Sequence, residues 1–141
     1  DENYKFRIGK GTVVKEGTDV TLFACGIMVE TALKAAEILA SDGINAAVVN
    51  LSTIKPLDTA LIVKMAEETK AAVTCEEHTI LGGLGSAVAE VLVENCPIPM
   101  ERVGVEDKFG QSGLPDELLK AYGLTAEKIA EKAKAAIARK A

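Results

Sequence analysis

Tryptophan is missing from this chain and aromatic residues of all kinds make up only 4%, so its core has to be built from aliphatic side chains. Cysteine is also scarce. Cys25, Cys75 and Cys96 are odd in number and show no short-range pairing, which indicates neither a disulfide framework nor a CxxC zinc site. Free cysteine is among the most buried residue types, so the three are expected to act as small core residues. Histidine occurs once, at His78, which leaves no second histidine for a nucleophile triad. A G-x-S-x-G elbow and a His/Cys/Asp cluster at metal-ligand spacing are absent too. No apolar stretch approaches the ~18 to 20 residues of a membrane helix, and Asp1-Glu2-Asn3-Tyr4-Lys5 lacks the apolar centre of a signal peptide. A cytosolic protein without membrane contact is expected. Cations are in deficit: Lys plus Arg number 16 against 21 Asp plus Glu, for a net charge of −5. That balance lacks the clustered positive charge that polyphosphate binding requires and argues against nucleic acid as a partner.

What remains is a chain of 141 residues, 48% apolar and 26% charged, the profile of one compact domain with a single core. A start at Asp1 rather than Met is expected of a chain cut, processed or cloned from a longer one. Short β-rich runs alternate with longer helical ones, the pattern of βαβ units around a mostly parallel sheet. Thr12 to Glu16 and Val20 to Cys25 read as strands joined by the turn Gly17-Thr18-Asp19. So tight a connection predicts antiparallel pairing of these two, with the first strand running against the rest. Val29, Ala32, Leu33, Ala36, Leu39 and Ala40 have the spacing of an amphipathic helix, stopped by Ser41-Asp42-Gly43. Ala46 to Leu51 reads as a central parallel strand covered on both faces. Asp58 is placed to cap a helix bearing Leu61, Ile62, Met65 and Ala66, and Ala71 to Cys75 is the next buried strand.

The loop Glu76 to Leu81 comes next, then Gly82-Gly83-Leu84-Gly85-Ser86 opens a helix with Ala87, Val88, Val91 and Leu92 as its apolar stripe, ending near Asn95. Met100 to Val105 is the last predicted strand and Glu106 to Gly113 a polar loop. Pro115 suits a first helical turn, Gly123 a C-terminal cap, and Thr125 the cap of a final helix running toward Arg139. The expected fold is a three-layer α/β/α domain around a five-stranded mixed sheet, over residues 12–141, with residues 1–11 as the end of an upstream segment. Basic residues between Lys128 and Lys140 alternate with Ala130, Ala133, Ala136 and Ile137, which describes a solvated helix face.

Open α/β sheets bind ligands outside the carboxyl ends of their strands, so the loops after Cys25, Leu51, Cys75 and Val105 are where a site is sought. His78 stands beside Glu76 and Glu77, and a carboxylate neighbour can select an imidazole tautomer and raise its pKa, which suits proton transfer or a polar contact to substrate. A solvated turn or an inter-domain contact accounts for the same residues. Gly82, Gly83, Gly85 and Ser86 form a glycine-rich helix entry whose free N–H groups favour an anion such as phosphate or carboxylate. The pattern is neither G-x-G-x-x-G nor a P-loop, and close packing of helix on sheet explains the glycines as well.

Taken together, Ile54-Lys55-Pro56-Leu57-Asp58, Glu76-Glu77-His78, Gly82 to Val88, Phe109-Gly110-Gln111-Ser112-Gly113, Glu117-Leu118-Leu119 and Tyr122-Gly123-Leu124-Thr125 resemble the C-terminal domain of transketolases. The likeness runs from about Gly9 to Ala138. The same domain type occurs in deoxyxylulose-phosphate synthases and in the β subunits of 2-oxoacid dehydrogenases, while the Phe109 to Gly113 loop with the motifs after it looks like a split, two-subunit transketolase. The resemblance implies an enzyme that uses thiamine diphosphate and Mg to move a two-carbon ketol unit between sugar phosphates. It also implies that the cofactor lies between a diphosphate-binding and a pyrimidine-binding domain, neither present here, and that this domain packs on the pyrimidine domain and extends a homo-oligomer interface. The nearest approach to the diphosphate motif G-D-G…N is Ser41-Asp42-Gly43-Ile44-Asn45, which lacks the first glycine. No catalytic, cofactor or metal residue is therefore assigned. His78, Gly82, Gly83, Gly85 and Ser86 are the substrate- or anion-binding candidates, and an independent anion-binding or docking module is the alternative from another class.

Overall fold

The computed structural model describes residues 10–51, 56–79, 83–105 and 124–141. Strands β1 (Thr12–Lys15), β2 (Val20–Ala24), β3 (Ala46–Asn50), β4 (Ala72–Thr79) and β5 (Met100–Val105) form one sheet in the order β1-β3-β2-β4-β5. Helix α1 (Met28–Ser41) and helix α4 (Ala126–Ala138) cover one face, and α2 (Thr59–Thr69) and α3 (Leu84–Asn95) cover the other. This is the expected three-layer α/β/α architecture with a mostly parallel mixed sheet. Period-two alternation divides the strand residues between two cores. Val20, Leu22 and Ala24 face α1 and α4 with Ala46, Val48 and Val73, whereas Phe23, Ala47, Val49 and Ala72 face α2 and α3. With both faces covered, β2 is buried at every residue.

The helices follow their apolar periodicity. Met28, Ala32, Ala35, Ala36 and Leu39 are the buried side of α1, and Ile62, Met65, Ala66 and Thr69 that of α2. Asp58 caps α2 as expected, its Oδ1 accepting from the Leu61 N–H at 3.2 Å, and its Oδ2 accepts from Gly11 N–H at 2.8 Å. One carboxylate thus ties the entry of β1 to the start of α2. Thr125 caps α4 by accepting from Lys128 N–H at 3.2 Å. The basic face of α4 is partly spent within the fold, because Lys134 pairs with Asp42 and both Lys132 and Arg139 pair with Glu101.

Strand pairing departs from expectation at one place. β1 does run against the rest, but it pairs with β3, not β2, with Thr12 opposite Asn50 and Val13 opposite Val49. β2 lies between β3 and β4 and is parallel to both. The reason is burial: a fully buried strand needs a covered neighbour on each side, and the half-exposed β1 belongs at an edge. To reach β2, residues Glu16–Asp19 step over the start of β3, a displacement of about 10 Å that four residues can span. The step is hydrogen-bonded to that strand: Thr18 and Asp19 N–H both donate to the Asn45 carbonyl, at 3.1 and 2.8 Å, and Asp19 Oδ2 accepts from Asn45 N–H at 2.7 Å. Gly17 has to be glycine here, since a Cβ would collide with the Ala46–Ala47 backbone.

A second difference lies at β4, which continues through Glu76, Glu77 and His78 to Thr79 where a loop is predicted. The expected loop at 106–113, the Pro115 helix start and the Gly123 cap lie outside the described residues, as do Ile54, Lys55 and Gly82. Replacing Asp58 with Ala is expected to lower stability by roughly 2 kcal/mol, through loss of a cap and of the bond to Gly11. Urea denaturation checks this, and a change under about 0.5 kcal/mol would contradict the two-ended role given to the carboxylate.

Candidate functional site

The parallel strands β2, β3, β4 and β5 all end at one edge of the sheet. β2 and β4 are neighbours there, yet the chain leaves β2 for α1 on one face and leaves β4 for α3 on the other. Such a divergence opens a crevice between two strand ends, the usual ligand position in this class of sheet. Cys25, Gly26, Glu76, Glu77 and the start of α3 meet at this edge.

Glu76 dominates the local electrostatics. It is only 1% exposed, although glutamate is a poor strand residue and almost never fully buried without partners. Its partners are the free N–H groups of α3: Leu84 N–H donates to Oε1 at 2.9 Å and Gly85 N–H donates to Oε2 at 2.6 Å. A helix start offers unpaired donors and a positive dipole end, so a carboxylate placed there is satisfied twice over. Gly83 leaves room for it, since a Cβ at that residue would strike Oε1 of Glu76. Gly85 does the same for Arg102 of β5, whose Nε would lie 2.6 Å from an added Cβ and whose Nη2 donates to Ser86 Oγ at 2.8 Å.

The glycine-rich helix entry therefore does hold an anion, and the anion is the protein's own. The structure brings Gly83, Gly85 and Ser86 together around Glu76 and Arg102, while His78 sits two residues along β4 from Glu76. Gly82 lies outside the described residues. Sequence reasoning did not single out Glu76 or Arg102 as site-forming. The signal available was a buried-strand context running into two carboxylates eight residues before a Gly-rich helix start, the spacing that lets one of them fold back as a cap.

Cys25, just past β2, is half-buried, and its thiol is pushed up to about 11 by burial first and then by the charges of Glu76 and Glu77. Cys75, fully buried on the opposite face, is pushed up further by burial, with Cys25 and Glu76 adding to it. Both are poor nucleophiles at neutral pH. Asn50 Oδ1 and Glu77 Oε2 are buried acceptors without a hydrogen-bond partner among the described residues.

A scan against family models matches residues 9–129 to "Transketolase, C-terminal domain". The chain belongs to the transketolase C-terminal domain family. A Clostridium sp. (strain MSTE9) relative described as "6-deoxy-6-sulfo-D-fructose transketolase subunit SqwH" is 50% identical over 139 residues, 99% of this chain and 43% of the relative. A Methanocaldococcus jannaschii protein described as "Putative transketolase C-terminal section" is 47% identical over 133 residues, 94% of this chain and 41% of the relative. A "1-deoxy-D-xylulose-5-phosphate synthase" of Gloeothece citriformis is 47% identical over 125 residues, 88% of this chain but 20% of that enzyme. Among solved structures, one described as "Split gene transketolase, inactive beta4 tetramer" superimposes with a TM-score of 0.93 at 50% identity, covering 100% of this chain and 46% of that one. The chain spans less than half the length of each of these relatives.

Transketolases and their synthase relatives are thiamine diphosphate enzymes, and the α3 start of this domain does not fit that cofactor's diphosphate. A diphosphate would need the α3 donors that Glu76 already holds, and it would meet the negative charge of Glu77 nearby. Among the described residues, no group of three or more His, Cys, Asp or Glu side chains could hold a metal ion.

Two outcomes are expected. Glu76→Ala removes two charge-assisted bonds from a buried site and should cost about 3 kcal/mol, part of which added acetate restores by entering the vacated carboxylate position. Denaturation with and without acetate measures this, and a response no larger than that of the unmodified protein would refute it. Iodoacetamide at pH 8 should leave Cys25 and Cys75 unreacted in the native protein while labelling them in denaturant. Because the folded state keeps the Cys25 proton to about 11 and the unfolded thiol loses it near its ordinary value of 9.0, stability should fall as pH rises across that window.

Proposed function

We propose that the chain is the C-terminal part of a thiamine-diphosphate-dependent transketolase, active only with the pyrimidine-binding and diphosphate-binding domains or subunit of the same enzyme. In the complete enzyme, thiamine diphosphate with Mg supplies the electron sink for moving a two-carbon ketol unit between sugar phosphates. This chain contributes residues 12–141 as an assembly domain: it docks on the pyrimidine-binding domain, extends a homo-oligomer interface, and lends its carboxyl edge at His78 to the substrate path, while Gly83, Gly85 and Ser86 serve to seat Glu76 and Arg102. The observation that carries the reading is the helix start at α3, where a cofactor phosphate would have to displace the carboxylate of Glu76. The coverage of 43% and 46% of two transketolase chains supports it, since each has further sequence to hold a cofactor. The tetrameric neighbour supports self-association, with a dimer as the smallest unit. No helix among the described residues is long and apolar enough to cross a membrane; a cytoplasmic location and a place in the pentose phosphate pathway are part of the proposal.

A second reading, the corresponding domain of a deoxyxylulose-phosphate synthase, is favoured by relatives such as the Gloeothece enzyme at 47% identity. The higher identity over more of the chain, 50% over 139 residues against 47% over 125, favours the split transketolase. Appearance of 1-deoxy-D-xylulose 5-phosphate as the product of the assembled enzyme would reverse that choice.

Calorimetry and a ketol-transfer assay on the isolated chain are expected to detect neither thiamine diphosphate binding nor turnover. Micromolar binding of a nucleotide or sugar phosphate would instead favour an independent anion-binding module. In the assembled enzyme, His78→Ala should raise the Michaelis constant for phosphorylated sugars, by about fivefold if one polar contact is lost. Unchanged kinetics would remove His78 from the substrate path.

A further inference from the structure

The pairing of β4 with β5 changes register where the candidate residues stand. Cys75 lies opposite Val103 and Thr79 opposite Val105, so Glu76, Glu77 and His78 on β4 face only Gly104 on β5. Extra residues on one strand interrupt the ladder, bend the strand and re-aim the side chains beyond the break. Over this stretch, inter-strand bonds cannot fix the path of β4, and something else has to.

Glu76 supplies the fixing. Its carboxylate is buried, so water offers no alternative donors, and both oxygens are held by backbone N–H groups of Leu84 and Gly85 at 2.9 and 2.6 Å. Those groups belong to a helix whose own position is set by Leu84, Val88 and Leu92 in the core and by Arg102 donating to Ser86. Gly83 fits against Glu76 only because it has no side chain. The carboxylate thus couples the widened part of β4 rigidly to α3, and His78 stands two residues later on the same strand.

We infer that Glu76 is a positioning residue: by anchoring the register change of β4 on the α3 N-terminus, it fixes the path of the β4 backbone through His78. The kinetic part of this inference rests on the proposed role of His78 in the substrate path, and the structural part does not.

The test compares unmodified protein, Glu76→Gln, His78→Ala and the double variant, each in the assembled enzyme with D-fructose 6-phosphate as the donor. Glutamine is nearly isosteric, but its NH₂ faces an N–H where an oxygen had accepted, so the anchor is lost with little change in volume. Glu76→Gln should raise KM about fivefold while kcat stays within about twofold, and should add nothing further on the His78→Ala background. Backbone amides of His78 and Thr79 should exchange faster in Glu76→Gln. Effects that multiply independently in the double variant, or unchanged exchange at His78 and Thr79, would overturn the inference. A kinetically silent His78→Ala would instead end the substrate-path reading, and exchange at the two amides then decides the anchoring claim alone. If Glu76→Gln fails to fold, Glu76→Asp keeps the charge, shortens the reach and carries the same expectations.

Discussion

A carboxylate withdrawn from water has to find donors, and in this domain Glu76 finds them at the N-terminus of α3. Much of the carboxyl edge is built around that exchange. Glycine at residue 83 makes space for the oxygens, glycine at residue 85 makes space for Arg102, and Ser86 receives the guanidinium. Burial first, and then the charges of Glu76 and Glu77, push the Cys25 thiol up and keep it protonated. The same helix start that in other α/β proteins receives a phosphate is closed by an internal ligand, which turns a potential binding site into a structural joint.

That joint suits the proposed role of an assembly domain. The sheet is covered on both faces, its two cores are aliphatic, and its polar interactions are used to fix elements against one another: Asp58 between β1 and α2, Asp19 against β3, Lys134 on Asp42 between α4 and α1. Exposed ion pairs of the last kind add little stability each. The buried hydrogen bonds of Asp58 and Glu76 fix geometry more firmly.

Elements whose evidence is local were legible in the sequence. Apolar spacing identified α1, α2 and α3, Asp58 and Thr125 announced the starts of α2 and α4, and the alternation of strands and helices announced the layers. What escaped was non-local. A short Gly17-containing link looks like a hairpin unless one knows that Asn45, far along the chain, is waiting to bind it. Glu76-Glu77-His78 looks like a polar loop because the donors that permit a buried carboxylate in a strand come from a helix not yet formed. In the candidate site, the glycines and Ser86 were visible as a motif, but its two charged occupants, Glu76 and Arg102, were not, since Glu76 acquires its role only when α3 meets the end of β4, and Arg102 only when β5 lies beside β4 within reach of Ser86.

The placement of β1 has a consequence for the order of assembly. Its partner residues, Val49 and Asn50, are made long after it, and β2, the strand that comes immediately after it, offers it no ladder. During synthesis β1 must therefore wait, unpaired, until β2, α1 and β3 have been produced and joined, and only then can it close the sheet's outer margin. Of the five strands of this sheet, the one made earliest is the one that finishes this half of it.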